Sequence, residues 1–268
     1  GEAYVRASDL SAPPMTVFAD VLFAAMASHG DAPAIELGGA TMSHAELCRR
    51  SEARAGELAE KGVGGFRPHP VFVDNAPGDL IELLGTYRAG GVVVPIHRAT
   101  PAARVEELVA RLVPDAMLDG ASTIVFTSGT TGAPKAAVLS AGRQAAKLEM
   151  IRRETGWRDG RRTLLARGTL VFPERLSVDA VSAVLAKADV DRMPAVPTLM
   201  RGLLDQPATA FLADWNGAVM AGGEVLPAGL GAKIRMAWPK AAIGDIYGLT
   251  ETGTCDFFVD PADYDAAA

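Results

Sequence analysis

The sequence is poor in cysteine. Its 268 residues hold only Cys48 and Cys255, far apart and in no CxxC pair, which excludes a disulfide framework and suits a reducing compartment. The four histidines (His29, His44, His69 and His97) form no HxxxH or HxxE grouping, which argues against a zinc site built by the protein alone. Basic residues do not predominate. Lys and Arg number 26 against 32 Asp and Glu, a net charge of −6, so no nucleic-acid partner is expected. Long apolar runs are missing too. The longest, such as Val21–Ala27 and Val92–Ile96, fall far short of the roughly 20 residues a membrane helix needs, and no membrane partner is expected. No signal-peptide pattern opens the sequence, and a cytoplasmic location is the expectation.

Aromatic residues make up only 6 %, whereas Ala, Gly, Leu and Val abound and apolar residues reach 49 %. That composition suits helices alternating with buried strands in one or two domains. A βαβ unit is predicted from a strand at Val71–Asp74, a helix at Asp79–Ala89 closed by Gly90 and Gly91, and an apolar strand at Val92–Ile96. A helix over Met42–Lys61 precedes it, with Ser43 and Glu46 as a capping box and Gly62 as its stop. Further helices are predicted at Ala102–Leu112, Ala141–Thr155, Ser177–Ala188, Thr198–Leu204 and Pro227–Trp238. Strands are predicted at Ala116–Leu118, Thr123–Phe126, Ala136–Leu139, near Thr163–Ala166, and at Thr169–Phe172, Arg192–Val196, Ala218–Ala221 and Ile243–Tyr247. The fold class is α/β, with sheets flanked by helices on both faces and approximate subdomains 1–119 and 120–268.

The strand ending at Phe126 runs into Thr127-Ser128-Gly129-Thr130-Thr131-Gly132-Ala133-Pro134-Lys135. Small residues let backbone N–H groups approach phosphate oxygens, hydroxyls add hydrogen bonds, and Lys135 adds a positive charge. A solvated turn would use similar residues. The string fails as a Walker A loop, because Ala136 follows the lysine, and as a GxGxxG fingerprint, because the glycine after Gly129 is Gly132.

TSGTTGAPK is similar to the signature loop of the adenylate-forming superfamily, which includes acyl- and aryl-CoA synthetases, luciferases and peptide-synthetase adenylation domains. Asp245-Ile246-Tyr247-Gly248-Leu249-Thr250-Glu251-Thr252-Gly253 resembles that family's Y-G-x-T-E motif. Met220-Ala221-Gly222-Gly223-Glu224-Val225-Leu226-Pro227 resembles its G-G-[AE]-x-L segment, although a plain strand-to-helix turn with Pro227 at the first helical position reads equally well. Pro194–Thr198 resembles the stretch leading to a helix beside the acid pocket and receives no catalytic role. Weaker passages at Gly39–Lys61 and Asn75–Pro95 extend the resemblance over nearly the whole chain.

The resemblance implies the large N-terminal domain of the adenylate-forming fold, with helix-flanked sheets in stacked layers, and an AMP-forming acid–CoA ligase. The carboxylic acid would be activated by ATP and Mg²⁺ and passed to coenzyme A. The alternatives are loading of a carrier-protein thiol and a non-catalytic nucleotide-binding module. The reading allows a homodimer. By residue, Thr127, Ser128, Gly129, Thr130, Thr131, Gly132 and Lys135 would hold the β- and γ-phosphates. Tyr247 with Gly222, Gly223 and Glu224, flanked by Asp245, Ile246 and Gly248, would hold the adenine. Thr250 would touch the α-phosphate, Glu251 would hold the metal, and Thr252 and Gly253 would border the acid; Lys135, Thr250 and Glu251 form the catalytic set. A carboxylate beside a triphosphate is repelled unless a cation stands between them, which is the physical reason Glu251 implies Mg²⁺.

Three departures from the family pattern stand out. The sequence ends at Ala268, before the motifs that carry the ribose-binding aspartate and the domain with the catalytic lysine. The family's P-x-x-H-x-x-G segment is missing between Leu165-Ala166 and Thr169, and the run from Leu118 to Ser122 is short. The expectation is a longer chain from which segments have been left out, the rival being a deletion variant.

Overall fold

Val92, Val93 and Val94 are consecutive and all fully buried. Side chains on a strand alternate between faces, so such a run requires a sheet covered on both sides. The computed structural model, which describes residues 4–6, 15–74, 76–112, 118–127, 135–146, 160–249 and 254–259, meets that requirement. Its elements in chain order are β1 (Tyr4–Arg6), α1 (Met15–His29), β2 (Pro33–Leu37), β3 (Ala40–Ser43), α2 (His44–Glu60), β4 (Pro68–Val73), α3 (Pro77–Arg88), β5 (Val92–His97), α4 (Ala102–Ala110), β6 (Ala121–Thr127), β7 (Lys135–Ser140), α5 (Gly160–Leu165), β8 (Leu170–Phe172), α6 (Val178–Lys187), β9 (Arg192–Ala195), α7 (Pro197–Leu204), a 3-10 helix (Pro207–Ala213), β10 (Ala218–Ala221), α8 (Ala228–Ala237), β11 (Ala242–Leu249) and β12 (Thr254–Val259). Residues 141–146 are helical as well. Among the described residues no helix is long and apolar enough to cross a membrane.

The chain divides into two units, Gly1–Phe172 and Pro173–Ala268. In the first unit the strands run β1-β7-β6-β5-β4. β4, β5 and β6 are mutually parallel, whereas β6 and β7 form an antiparallel pair. Val93 joins a core made with Phe18, Leu22 and Met26 of α1, Leu47 of α2 and Leu84 and Tyr87 of α3. Val92, Val94 and Ile96 join the opposite core with Leu112, Ile124 and Val138, against which Val105 of α4 packs. Tyr87 Oη and Thr123 Oγ1 share a buried hydrogen bond at 2.8 Å, which ties α3 to β6. A smaller sheet, β3-β2-β8, completes this unit.

Local signals explain the helix ends. Ser43 Oγ accepts from the Glu46 N–H at 3.2 Å, so Ser43 caps α2 as expected. The Glu46 carboxylate turns to Arg49 and Arg50 instead of completing the box. Gly62 takes φ 82° and donates to the Ala59 carbonyl, the expected stop. At the start of α3 the Asp79 carboxylate accepts from the N–H groups of Asp74 (2.5 Å) and Ala76 (3.1 Å) and from Arg98 (2.7 Å). Burial pushes the Asp79 carboxyl up, but those three donors outweigh it and hold it below the ordinary range.

In the second unit the order is β12-β11-β10-β9, with β9, β10 and β11 parallel and β12 antiparallel. Its core gathers Met200, Leu203, Leu212, Val219, Ile234, Ile243 and Trp238. Trp215 Nε1–H donates to the Val190 carbonyl at 2.7 Å.

Several expectations need correction. Thr163–Ala166 is no strand, because residues 160–165 form α5, which packs on α1 and places Leu164 in its core. The boundary at 119/120 would separate β5 from β6, which pair in one sheet; the division falls after Phe172. Pro227 is the N-cap of α8, not its first residue. The strand expected at Ala116–Leu118 lies outside the described residues at 116 and 117, and Leu118 is not in a strand. Of the helix expected at Ala141–Thr155, the part beyond residue 146 is also outside them. Both short joints close as tight turns. Ala121 N donates to the Leu118 carbonyl at 2.8 Å with Gly120 at φ 74°, and Arg167 takes φ 60°.

Candidate functional site

In open parallel sheets, ligands bind beyond the carboxyl ends of the strands, where loops and helix N-termini offer unpaired N–H groups. Each unit puts part of the expected site on such an edge.

In the first unit, β6 reaches the carboxyl edge at Thr127 and β7 leaves it at Lys135. The two residues are cross-strand partners, and Thr127 Oγ1–H donates to the Lys135 carbonyl at 3.5 Å. The signature loop is therefore the connection of an antiparallel hairpin, not the strand-to-helix passage of a Walker A loop. Pairing fixes both of its ends and leaves Lys135 exposed at its base. Ser128, Gly129, Thr130, Thr131 and Gly132 lie outside the described residues.

The same edge carries groups that sequence reasoning passed over. Asp74 follows β4 and His97 ends β5, with His97 Nε2 3.7 Å from Asp74 Oδ1. His97 Nδ1 accepts from the Ala99 N–H at 3.1 Å, so the ring proton sits on Nε2, facing Asp74. Arg98 donates to the Phe72 carbonyl and to Asp79. The available signal was positional: polar residues directly after two parallel apolar strands.

In the second unit, Ala221 of β10 pairs with Asp245 of β11, after which β11 continues to Leu249. This overshoot carries β11 on past the start of the turn Gly222-Gly223-Glu224, with Ile246 beside Gly222. Gly222 N donates to the Ala195 carbonyl at 3.3 Å, and a Cβ built on Gly222 would meet Ile246 at 3.6–3.7 Å. Gly223 takes φ 81°, in the left-handed region that favours glycine. A Cβ there would come within 3.3 Å of Val196 Cγ1, so Val196, which received no role from the sequence, lies against the turn.

Ile243, Asp245 and Tyr247 share one face of β11, and exposure rises along it. Ile243 is buried in the core, Asp245 is intermediate, and Tyr247 is 57 % exposed. Burial pushes the Asp245 carboxyl up, and its bond with the Ile246 N–H only partly offsets that. A half-buried carboxyl, an exposed aromatic ring and a turn that opens with two glycines can together receive a flat heterocycle that carries hydrogen-bond donors. Thr250, Glu251, Thr252 and Gly253 lie outside the described residues.

The two glycines differ in a measurable way. Gly223→Ala should destabilise the second unit by about 1–2 kcal/mol because of its left-handed backbone. Gly222→Ala, with only ordinary contacts, should stay within about 0.5 kcal/mol. Urea unfolding of the two variants checks this, and equal effects would count against the turn geometry.

The sequence profile of the AMP-binding enzyme family matches residues 22–123 and 112–268. Tyrocidine synthase 3 of Brevibacillus parabrevis is 26 % identical over 275 residues, covering 79 % of this chain and 4 % of that protein. Among solved structures, the nonribosomal peptide synthetase FmoA3 in its α-methyl-L-serine-AMP bound form superposes with a TM-score of 0.76 at 19 % identity, covering 95 % of this chain and 35 % of that one. The O-succinylbenzoate coenzyme A synthetase of Bacillus subtilis in complex with AMP does so with a TM-score of 0.73 at 18 % identity, covering 90 % and 76 %. These two structures show the fold, that of the N-terminal part of adenylate-forming proteins.

Proposed function

Because this chain belongs to the AMP-binding enzyme family, we propose that it binds the nucleotide with which a carboxylic acid is activated. The acid's carboxylate oxygen attacks the α-phosphorus of ATP, pyrophosphate leaves, and the acyl-adenylate gives its acyl group to a thiol. The observation that carries this reading is the placement of the hairpin loop, in one unit, and of the Gly222–Glu224 turn with Tyr247, in the other, at the carboxyl ends of parallel strands.

Little covalent work falls to the protein, so positioning and charge stabilisation dominate. Lys135, with Ser128, Thr130 and Thr131, neutralises the departing pyrophosphate, and the backbone of Gly129 and Gly132 approaches it closely. The Tyr247 ring stacks on the adenine above Gly222, Gly223 and Glu224, while Asp245 accepts from its amino group. Thr250 donates to the α-phosphate, and Thr252 and Gly253 border the acid. Glu251 is a hard oxygen donor suited to Mg²⁺, which neutralises phosphate charge when bound.

For the acceptor, the peptide-synthetase likeness favours a carrier-protein thiol. Coenzyme A is the second reading, favoured by Gly156-Trp157-Arg158-Asp159-Gly160-Arg161 and Gly248–Gly253, which look more like CoA-ligase passages. Calorimetry should give saturable MgATP binding, and pyrophosphate exchange should depend on added acid. Binding without acid-dependent exchange would instead support a nucleotide-binding module. A coupled assay offering free CoA or a phosphopantetheinylated carrier distinguishes the two acceptors.

A further inference from the structure

Two histidines of the first unit take no part in the proposed nucleotide site, yet both hold the same turn. His29 ends α1 and His44 begins α2, with rings edge to face and centroids 4.9 Å apart. His29 Nε2 lies 3.1 Å from the Leu165 carbonyl oxygen, and His44 Nε2 lies 3.2 Å from that of Gly168. A carbonyl only accepts, so each Nε2 carries a proton and donates. The two bonds bracket residues 165–168, the turn from α5 to β8. Arg167 in that turn takes φ 60°, and Gly168 N donates to the Thr163 carbonyl at 2.7 Å. Thr169 Oγ1–H adds a bond to the Pro33 carbonyl at 2.8 Å. β8 then pairs with β2 and is the last strand before the chain enters the second unit.

We propose that the His29–His44 pair is an acid-sensitive clamp on the turn 165–168, closed while His44 is neutral and released when His44 takes a second proton. His44 has no solvent exposure, and its Nδ1 is buried without a hydrogen-bond partner among the described residues. An unprotonated Nδ1 tolerates that position far better than an N–H with no acceptor, and charging the ring there adds desolvation of an ion. Among the described residues, the charged or titratable groups that act on His44 are His29 from α1 and Arg167 from the turn, and none comes from α3, β2 or β3, which also pack on α2. Arg167 repels an imidazolium, as does His29 whenever it is charged.

Burial lowers the proton affinity of His44, and His29 and Arg167 add to that, against the opposing effect of the Gly168 carbonyl. The released turn therefore binds a proton more readily than the closed one. The clamp is at full strength above the ordinary histidine value of about 6.5 and weakens as pH falls below it. The inference is independent of the acid-activation reading, since no nucleotide or acid enters it.

Amide hydrogen exchange on the full chain, normalised to the intrinsic rate at each pH, tests it. Protection of amides 168–172 should fall from pH 7.5 to 5.5, by at most about tenfold, the limit for one proton taken up on opening near the ordinary histidine value. Protection of β10 should stay constant. His44→Gln keeps a donor for the Gly168 carbonyl and removes the titration, so its profile should be flat. A flat wild-type profile, or the wild-type fall retained in His44→Gln, overturns the clamp. If His44→Gln does not fold, the His44 ring resonances of the wild type decide: a midpoint below the ordinary histidine value of about 6.5 supports the clamp, and one at or above that value overturns it.

Discussion

Lys135→Ala is expected to weaken MgATP binding about 10- to 100-fold, the worth of one or two charge-assisted hydrogen bonds, while leaving AMP affinity unchanged. The contrast follows from the position assigned to the lysine. It stands at the foot of the hairpin loop proposed to hold the β- and γ-phosphates, which AMP lacks. Acid-dependent exchange should drop further, about 10²–10³-fold, because charge on the leaving pyrophosphate develops in the transition state. Lys135 is exposed and its backbone carries the strand pairing, so the thermal midpoint should hardly move. Lys135→Arg should recover part of the loss. Glu251→Gln gives a companion result: it keeps the side-chain shape but removes the charge, and it should raise the Mg²⁺ concentration needed for half-maximal ATP binding. Equal loss of ATP and AMP affinity in Lys135→Ala would sink the phosphate assignment while leaving the family membership untouched.

Trp238→Ala should cost the second unit about 3–5 kcal/mol, in the range for truncating a large buried aromatic. Trp238 is 2 % exposed at the end of α8, in the core with Ile234, Leu230 and Ile243 beneath the sheet that carries the Gly222–Glu224 turn and Tyr247. The first unit has its own two cores, so the loss should be local. Hydrogen exchange should show β10 and β11 losing protection while β5 and β6 retain theirs, and the urea midpoint reported by the second unit should fall. Uniform loss across both units would contradict the division after Phe172.

What could be read without coordinates was whatever a few neighbouring residues decide among themselves. Ser43 before α2 and Gly62 after it act through short-range free energies, and each acts where the sequence places it. The run Val92–Ile96 announced a doubly covered strand, and the hydroxyl- and glycine-rich loop announced the family. By contrast, α1 is apolar on nearly every side, so no periodicity sets it apart from an apolar strand. Residues 163–166 have an apolar stretch that suits a strand, yet residues 163–165 end a helix that packs on α1 and residue 166 lies in the turn that follows.

The parallel pairing of β6 with β5, which puts the β6–β7 hairpin on the carboxyl edge of that sheet, joins residues as far apart as Val93 and Thr123. The overshoot of β11 beside Gly222, the burial that raises Asp245, and the meeting of His29 and His44 over a turn 136 and 124 residues further along are long-range as well. Residue chemistry and spacing fixed the kind of ligand to look for. Strand pairing and burial, which are long-range, decided which of those groups share an edge and which proton each holds.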